Sequence, residues 1–236
     1  MDYQICVNYE FKFILCETVM AEINLLKSIP KIKRNIKLRV NEDKDKYVEI
    51  ASKFGKDYFD GDRKYGYGGY YYDGRWVTVA KDIISHFKLK KGDKVLDVGC
   101  GKGFLVKDLL SFGIDAYGVD ISNYALMKCE PEVLGRLHLG SCDNLFFPDN
   151  SFAAVVSINT IHNLDKKGCL QSIKEIERLA PGKGFIQVDS FKNERQKKIF
   201  ENWVLTAKFY DYPNNWINLF NKAKYTGDWS WTIMEE

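Results

Sequence analysis

From residue 76 onward the chain alternates short apolar runs with amphipathic stretches. Trp76, Val79, Ala80, Ile83, Ile84 and Phe87 recur at helical spacing, so one face of a helix should lie on a core. Val95-Leu96-Asp97-Val98 is a short apolar run closed by glycines, the form of a buried parallel strand turning sharply into a helix. Leu105, Leu109 and Phe112 mark that helix, 116–120 a second strand, and Ser122 is placed to cap the helix after it. Asp143 stands where a third strand should end, and 154–158 reads as a fourth. Residues 168–179 read as a helix stopped by Pro181-Gly182, and 184–189 as a fifth strand. Residues 193–203 and 216–223 look helical, and 225–234 reads as a final strand. Strands alternating with helices predict an α/β fold with a doubly wound, mostly parallel sheet.

The first third is patterned differently. Phe13-Ile14-Leu15, Val19, Ile23 and Leu26 suggest an amphipathic helix ending near Pro30. Residues 27–46 then carry eight basic side chains against three acids, either an electropositive arm or a solvated face. Residues 58–76 hold six tyrosines, five glycines and two arginines in nineteen positions. That many glycines forbid a regular helix, and tyrosine at this density is costly if left in water. The expectation is an N-terminal helical and aromatic cap extension over 1–74, followed by the α/β domain over 75–236.

Composition changes this picture little. With 236 residues, 45% of them hydrophobic, the chain can build a core without covalent staples. Six cysteines without CxxC spacing argue for a reducing compartment and against a zinc site, so no metal is expected. Cys100 and Cys142 fall in loops where alkylation is expected. No apolar run approaches the ~18 residues of a membrane span. The opening residues, interrupted by Asp2 and Glu10, lack the layout of a secretory leader. These features suit a cytoplasmic protein with no membrane partner. A net charge of +3 does not itself point to nucleic acid.

The candidate chemistry begins at VLDVGCGKGF, 95–104. Gly99, Gly101 and Gly103 alternate where a ligand can approach free amides at a helix N-terminus. Dinucleotide dehydrogenases use G-x-G-x-x-G at such a turn, whereas this loop is G-C-G-K-G. Asp120, 21 residues past Gly99, ends the second strand where a carboxylate reaches the two hydroxyls of a ribose. Together with YGVDIS (117–122), LFFPDNSFAAVVS (145–157) and INTIHNL (158–164), the loop resembles the class I S-adenosylmethionine-dependent methyltransferases. The likeness is greatest to their small-molecule branch, which includes quinone-biosynthesis enzymes, and it covers roughly residues 75–190.

That resemblance implies a Rossmann-like sheet of seven strands closed by an antiparallel hairpin; only one strand is evident after residue 224, so either 204–210 supplies the other or it is missing. It implies S-adenosylmethionine as methyl donor and S-adenosylhomocysteine as product. Asp97, Gly99, Gly101 and Gly103 would line the methionine end, with Cys100 in the same loop. Asp120 would accept the ribose hydroxyls and Ile121 pack on the adenine. Asp143 would accept from the adenine amino group, with Cys142 and Asn144 beside it, and Asn159 and Thr160 would border the sulfonium.

For the acceptor, Arg63 and Arg75 can clamp a carboxylate or phosphate, and Tyr67 and Tyr71 can bind its polar groups. His162 is a candidate general base, or a packing residue beneath the cofactor, with Tyr65 and Tyr70 as rival groups. Asn159-Thr160-Ile161-His162 replaces the Asn/Asp-Pro-Pro-aromatic signature of enzymes that methylate exocyclic amines of bases. The expectation is therefore methyl transfer to a small polar or anionic metabolite, such as a sugar-nucleotide, amino-acid or natural-product intermediate. An RNA methyltransferase recruited by the basic arm and a non-catalytic cofactor-binding subunit are the alternatives. Nucleic acid is the disfavoured partner, and a homodimer is allowed.

Overall fold

A computed structural model describes residues 20–30, 34–40 and 43–234. Six strands form one sheet in the order β3-β2-β1-β4-β5-β6, every neighbouring pair parallel. They are β1 (Lys94–Val98), β2 (Asp115–Asp120), β3 (Leu137–Leu139), β4 (Ala154–Ile158), β5 (Gly184–Ser190) and β6 (Asp228–Ile233). Because side chains alternate across a strand, each inner strand feeds two cores. Val95, Ala154, Val156 and Phe185 pack on one face with α3 (Trp76–Phe87) and α4 (Phe104–Ser111). Leu96, Val98, Val155, Ile186 and Val188 pack on the other with α6 (Lys166–Leu179) and α8 (Pro213–Ala223). Val79, Ala80, Ile83 and Phe87, the stripe of the periodic pattern, are the buried face of α3.

The helix boundaries follow local capping. Ser122 Oγ accepts from the Ala125 amide at the start of α5 (Asn123–Met127), as the sequence predicts. Asp165 caps α6 in the same way, and Asn193 caps α7 (Glu194–Trp203). Two further helices, α1 (Lys44–Ala51) and α2 (Lys56–Asp60), precede the glycine-tyrosine segment.

Three expectations are corrected. The sheet has six described strands rather than seven, and the described residues contain no antiparallel hairpin. Residues 204–210 do not join the sheet because the Lys208 and Phe209 amides donate to the His162 carbonyl (2.9 and 3.1 Å). The outer edge of β6 is instead met by residues 21–23: Ile23 N donates to Trp229 O (2.8 Å) and Trp229 N to Ala21 O (3.1 Å). Residues 20–30 are thus extended and turned rather than helical, while 13–19 lie outside the described residues. Finally, β3 stops at Leu139, so Asp143 sits in the loop beyond it, where Gly140 to Asn144 turn away from the sheet.

Among the described residues no helix is long and apolar enough to cross a membrane.

Candidate active site

The chain runs outward from β1 to β2 and β3, then returns to β4 on the other side of β1. The carboxyl ends of β1 and β4 therefore diverge into a crevice at the topological switch point. Gly99 and Thr160 face each other there. A Cβ on Gly99 would stand 1.9 Å from Thr160 Oγ1, so only glycine lets the two strand ends approach this closely. Gly99, Gly101 and Gly103 all have positive φ (86°, 56° and 78°), which folds the loop back over the end of β1 and opens α4.

Asp120 ends β2 and is held by its own surroundings. Its Oδ2 accepts from the Gly101 amide (2.7 Å) and its Oδ1 from the Ser122 amide (2.8 Å). Burial raises its pKa, and those amides pull the other way. Asp97 is buried on β1, and burial together with the Asp120 charge pushes its pKa up to about 7. Among the described residues no lysine, arginine or histidine lies within ion-pair distance of either carboxylate. A buried and a half-buried acid, neither with a cation among the described residues, stand beside a glycine cradle and are complementary to a ligand carrying both hydroxyls and positive charge.

The remaining cofactor candidates border the same edge. Ile121 is exposed at the end of β2. Cys142 is buried, with Ser172 Oγ 3.3 Å from its sulfur; Asp143 accepts from Ser141 Oγ, and Asn144 is exposed. Asn159 adopts φ 52° and accepts from Thr232 Oγ1 (2.9 Å), which in turn accepts from Gln187 Nε2 (2.8 Å). Gln187 and Thr232 escaped the sequence reading because each looks like an ordinary polar position on a strand. Burial raises the thiol pKa of Cys100, and pushes Cys142 up to about 11. Burial thus acts against the thiolate form at both sulfurs.

The glycine-tyrosine segment packs onto the glycine loop as a strap. Asp60, at the end of α2, accepts from Lys102 Nζ through both oxygens (2.8 Å each), from the Tyr124 hydroxyl (2.8 Å) and from the Tyr70 amide (3.1 Å). Although burial pushes the Asp60 carboxyl up, these bonds hold it below the usual carboxylate range. Lys102 Nζ also donates to Tyr70 O (2.6 Å), and Ser122 Oγ to Phe54 O (2.5 Å). The Tyr70 ring stacks on Phe104 (4.8 Å) and comes within 3.3 Å of where a Gly101 Cβ would be. Tyr72 donates to buried Asp108 on α4 (2.6 Å). The sequence signal for the fastening was Lys102, a lysine set inside a glycine loop.

Other predicted acceptor residues disperse. Tyr67 packs on Tyr70 (4.5 Å), whereas Tyr71 projects into solvent. Tyr65 stands edge-on to Tyr47 (5.5 Å) in a separate cluster with Ala51 and Leu205. Arg75 is paired with Asp73, and Arg63 turns toward Gly66 O and Trp203, so the two do not form a clamp. His162 is buried: Asp189 N donates to its Nδ1 (3.1 Å) and its Nε2 lies 3.5 Å from Asp189 Oδ2. Burial lowers its pKa, against the opposing charge of Asp189.

A family model described as a methyltransferase domain matches residues 96–187, the stretch from β1 to β5. The chain is 32% identical over 106 residues to phosphoethanolamine N-methyltransferase 3 of Arabidopsis thaliana, covering 40% of this chain and 20% of that protein. It is 29% identical over 162 residues to cycloartenol-C-24-methyltransferase 1 of Oryza sativa subsp. japonica, covering 60% of this chain and 44% of that one. The matched part of this chain thus spans less than half the length of either relative. The YcgJ protein of Bacillus subtilis shares the fold, with a TM-score of 0.52 at 16% identity over 61% of this chain and 66% of that chain.

Proposed function

We propose that this chain, which carries a class I S-adenosylmethionine-dependent methyltransferase domain, transfers a methyl group to a small polar or anionic metabolite held beneath its aromatic strap. The observation that carries the reading is the pairing of Asp97 and Asp120, uncompensated acids beside a positive-φ glycine loop, with a strap fastened over that loop by Asp60. The two relatives act on small molecules by name, phosphoethanolamine and cycloartenol.

The cofactor is S-adenosylmethionine, which brings a methyl group already activated on a sulfonium. The protein contributes alignment and exclusion of water. Gly99, Gly101 and Gly103 with Asp97 would hold the amino-acid end, Asp120 the ribose, and Ile121, Cys142, Asp143 and Asn144 the base. Asn159 is oriented for the reacting centre by the Thr232–Gln187 network, and Thr160 by its bond to Ile158 O (3.1 Å). Burial raises the pKa of Tyr70, so it serves as a hydrogen-bond donor and aromatic wall rather than as a base. His162, with both ring nitrogens directed at Asp189, holds β5 against the loop after β4 and has no free lone pair for a substrate proton. A basic arm recruiting RNA is disfavoured because Arg39 is buried and Arg34 folds toward Trp203.

The test is transfer of labelled methyl from S-adenosylmethionine into a fractionated cell extract. Label in the low-molecular-weight filtrate is the expected outcome and yields a compound to identify. Label in RNA or protein overturns the small-molecule reading. No label anywhere, with cofactor binding intact, leaves either an acceptor absent from the extract or a non-catalytic partner subunit.

A further inference from the structure

On the side of the strap away from the glycine loop, three guanidinium groups gather on one indole. The Arg39, Arg63 and Arg34 carbons lie 3.7, 5.1 and 5.9 Å from the Trp203 ring centroid. Arg39 is 4% exposed and Trp203 8%, while Arg34 and Arg63 are half-buried and open to solvent. Lys44 flanks them, its ammonium bound to the Glu201 carbonyl. Among the described residues no carboxylate lies within ion-pair distance of any of the three arginines.

Backbone carbonyls satisfy only part of this donor set. Arg39 donates through NH1 to Trp203 O (3.0 Å) and through NH2 to Gly66 O (2.6 Å) and Arg63 O (2.9 Å). Its Nε is buried and has no hydrogen-bond partner among the described residues. Arg63 spends one donor on Gly66 O (2.5 Å), and Arg34 makes no hydrogen bond to a described residue. Like charges crowded without a counter-ion are costly. Burial, then Arg63, brings Arg39 down to about 10, and burial, then Arg34, lowers Arg63. A purely structural pillar of Arg39 against Trp203 would not need the other two cations.

We propose that Arg34, Arg39 and Arg63, arrayed on Trp203, form a binding site for a phosphate monoester. Guanidinium groups gathered on one indole, two of them open to solvent, suit a dianionic, multidentate group better than a single carboxylate. The site shares the strap with the methyl-transfer crevice. The Tyr58 hydroxyl, buried between them, feels both Arg39 and Asp120. Tyr67 contacts Tyr58 (5.2 Å) on one side and Tyr70 (4.5 Å) on the other. Occupancy of the arginines is therefore felt at Tyr70 and the glycine loop through these ring contacts rather than by direct reach. This second half rests on the methyltransferase reading; the phosphate site itself does not.

The experiment is calorimetric titration of the full chain with inorganic phosphate, against sodium chloride at matched ionic strength, for the wild type, R34Q and R63Q. S-adenosylmethionine affinity is measured on the same three proteins. The expected result is saturable phosphate binding that weakens ~10-fold or more in each variant, the scale of one lost charged hydrogen bond, with cofactor affinity unchanged. Phosphate no better than chloride, or binding in both variants equal to that of the wild type, overturns the proposal. Displacement of phosphate by short single-stranded RNA at far lower concentration, with a steep salt dependence, overturns the small-metabolite assignment in favour of a polymer. Phosphate binding without cofactor binding leaves this site standing and sinks the methyltransferase reading.

Discussion

Asp97 carries the clearest pH signature. Its folded pKa of about 7 lies above the ~3.9 of an unfolded aspartate. The folded state therefore holds the extra proton between those values, and the stability that this group contributes falls as pH rises from ~4 to about 7, then levels off. A cationic ligand favours the ionised form, so cofactor binding should release a proton below about pH 7. Affinity should then rise up to ~10-fold per pH unit toward that value and become flat above it. Titration calorimetry in buffers of different ionisation enthalpy measures the proton count, and Asp97→Asn should remove the slope; a slope that survives in the variant refutes the assignment. His162 gives a contrasting expectation. His162→Ala should lower stability by about 1–3 kcal/mol, because the Asp189 groups lose their buried partner. Turnover of the folded variant should stay near that of the wild type. A loss of ~100-fold or more at full occupancy would restore the general-base role.

The strap is the element whose behaviour decides access to the crevice. Asp60 collects Lys102, Tyr124 and the Tyr70 amide on one carboxylate, so Asp60→Ala should release the strap from the glycine loop without disturbing the sheet. The Tyr67 and Gly69 amides, which donate to Tyr58 and Phe59 carbonyls, report on that release. Loss of the carboxylate should lower the opening free energy by about 1–3 kcal/mol, and their hydrogen exchange should accelerate ~10-fold or more. Unchanged exchange would mean that ring packing alone holds the strap. The regular elements were legible because their signals are local: the α3 stripe, the Ser122 cap and the apolar run of β1 each occupy consecutive or periodic positions. The fastenings were not legible. Asp60 and Lys102 are 42 residues apart, and no periodicity ties an acid in an irregular segment to a lysine in a loop. Tyrosine and glycine density marked the strap as unusual, but not that Tyr70 would face the loop while Tyr65 packed elsewhere.

At the scale of the whole molecule, residues 20–30 pack into the α/β body. Leu25 is buried in the same core as Val79, Ile83 and Phe87 of α3, and Ala21 N donates to Asp228 Oδ1 (3.0 Å). Asp228 Oδ2 lies 2.8 Å from His86 Nε2, so one carboxylate ties the extension, α3 and β6 together. This explains why the end of the sheet was misread. The expected antiparallel partner was sought after residue 203, whereas residues 21–23 cover the β6 edge from the other end of the chain. It also fixes how the molecule should unfold. A core shared across the 74/75 boundary makes the extension and the sheet one cooperative unit, so urea unfolding followed by tryptophan fluorescence and by far-UV circular dichroism should give one coincident transition. Leu25→Ala should move that transition as a whole, by about 2–3 kcal/mol, because it opens a cavity under α3. If the variant instead splits the curve, with the fluorescence of Trp229 and Trp231 lost before the helical signal, the extension is a separate layer. The strap would then be closing on a domain that folds without it.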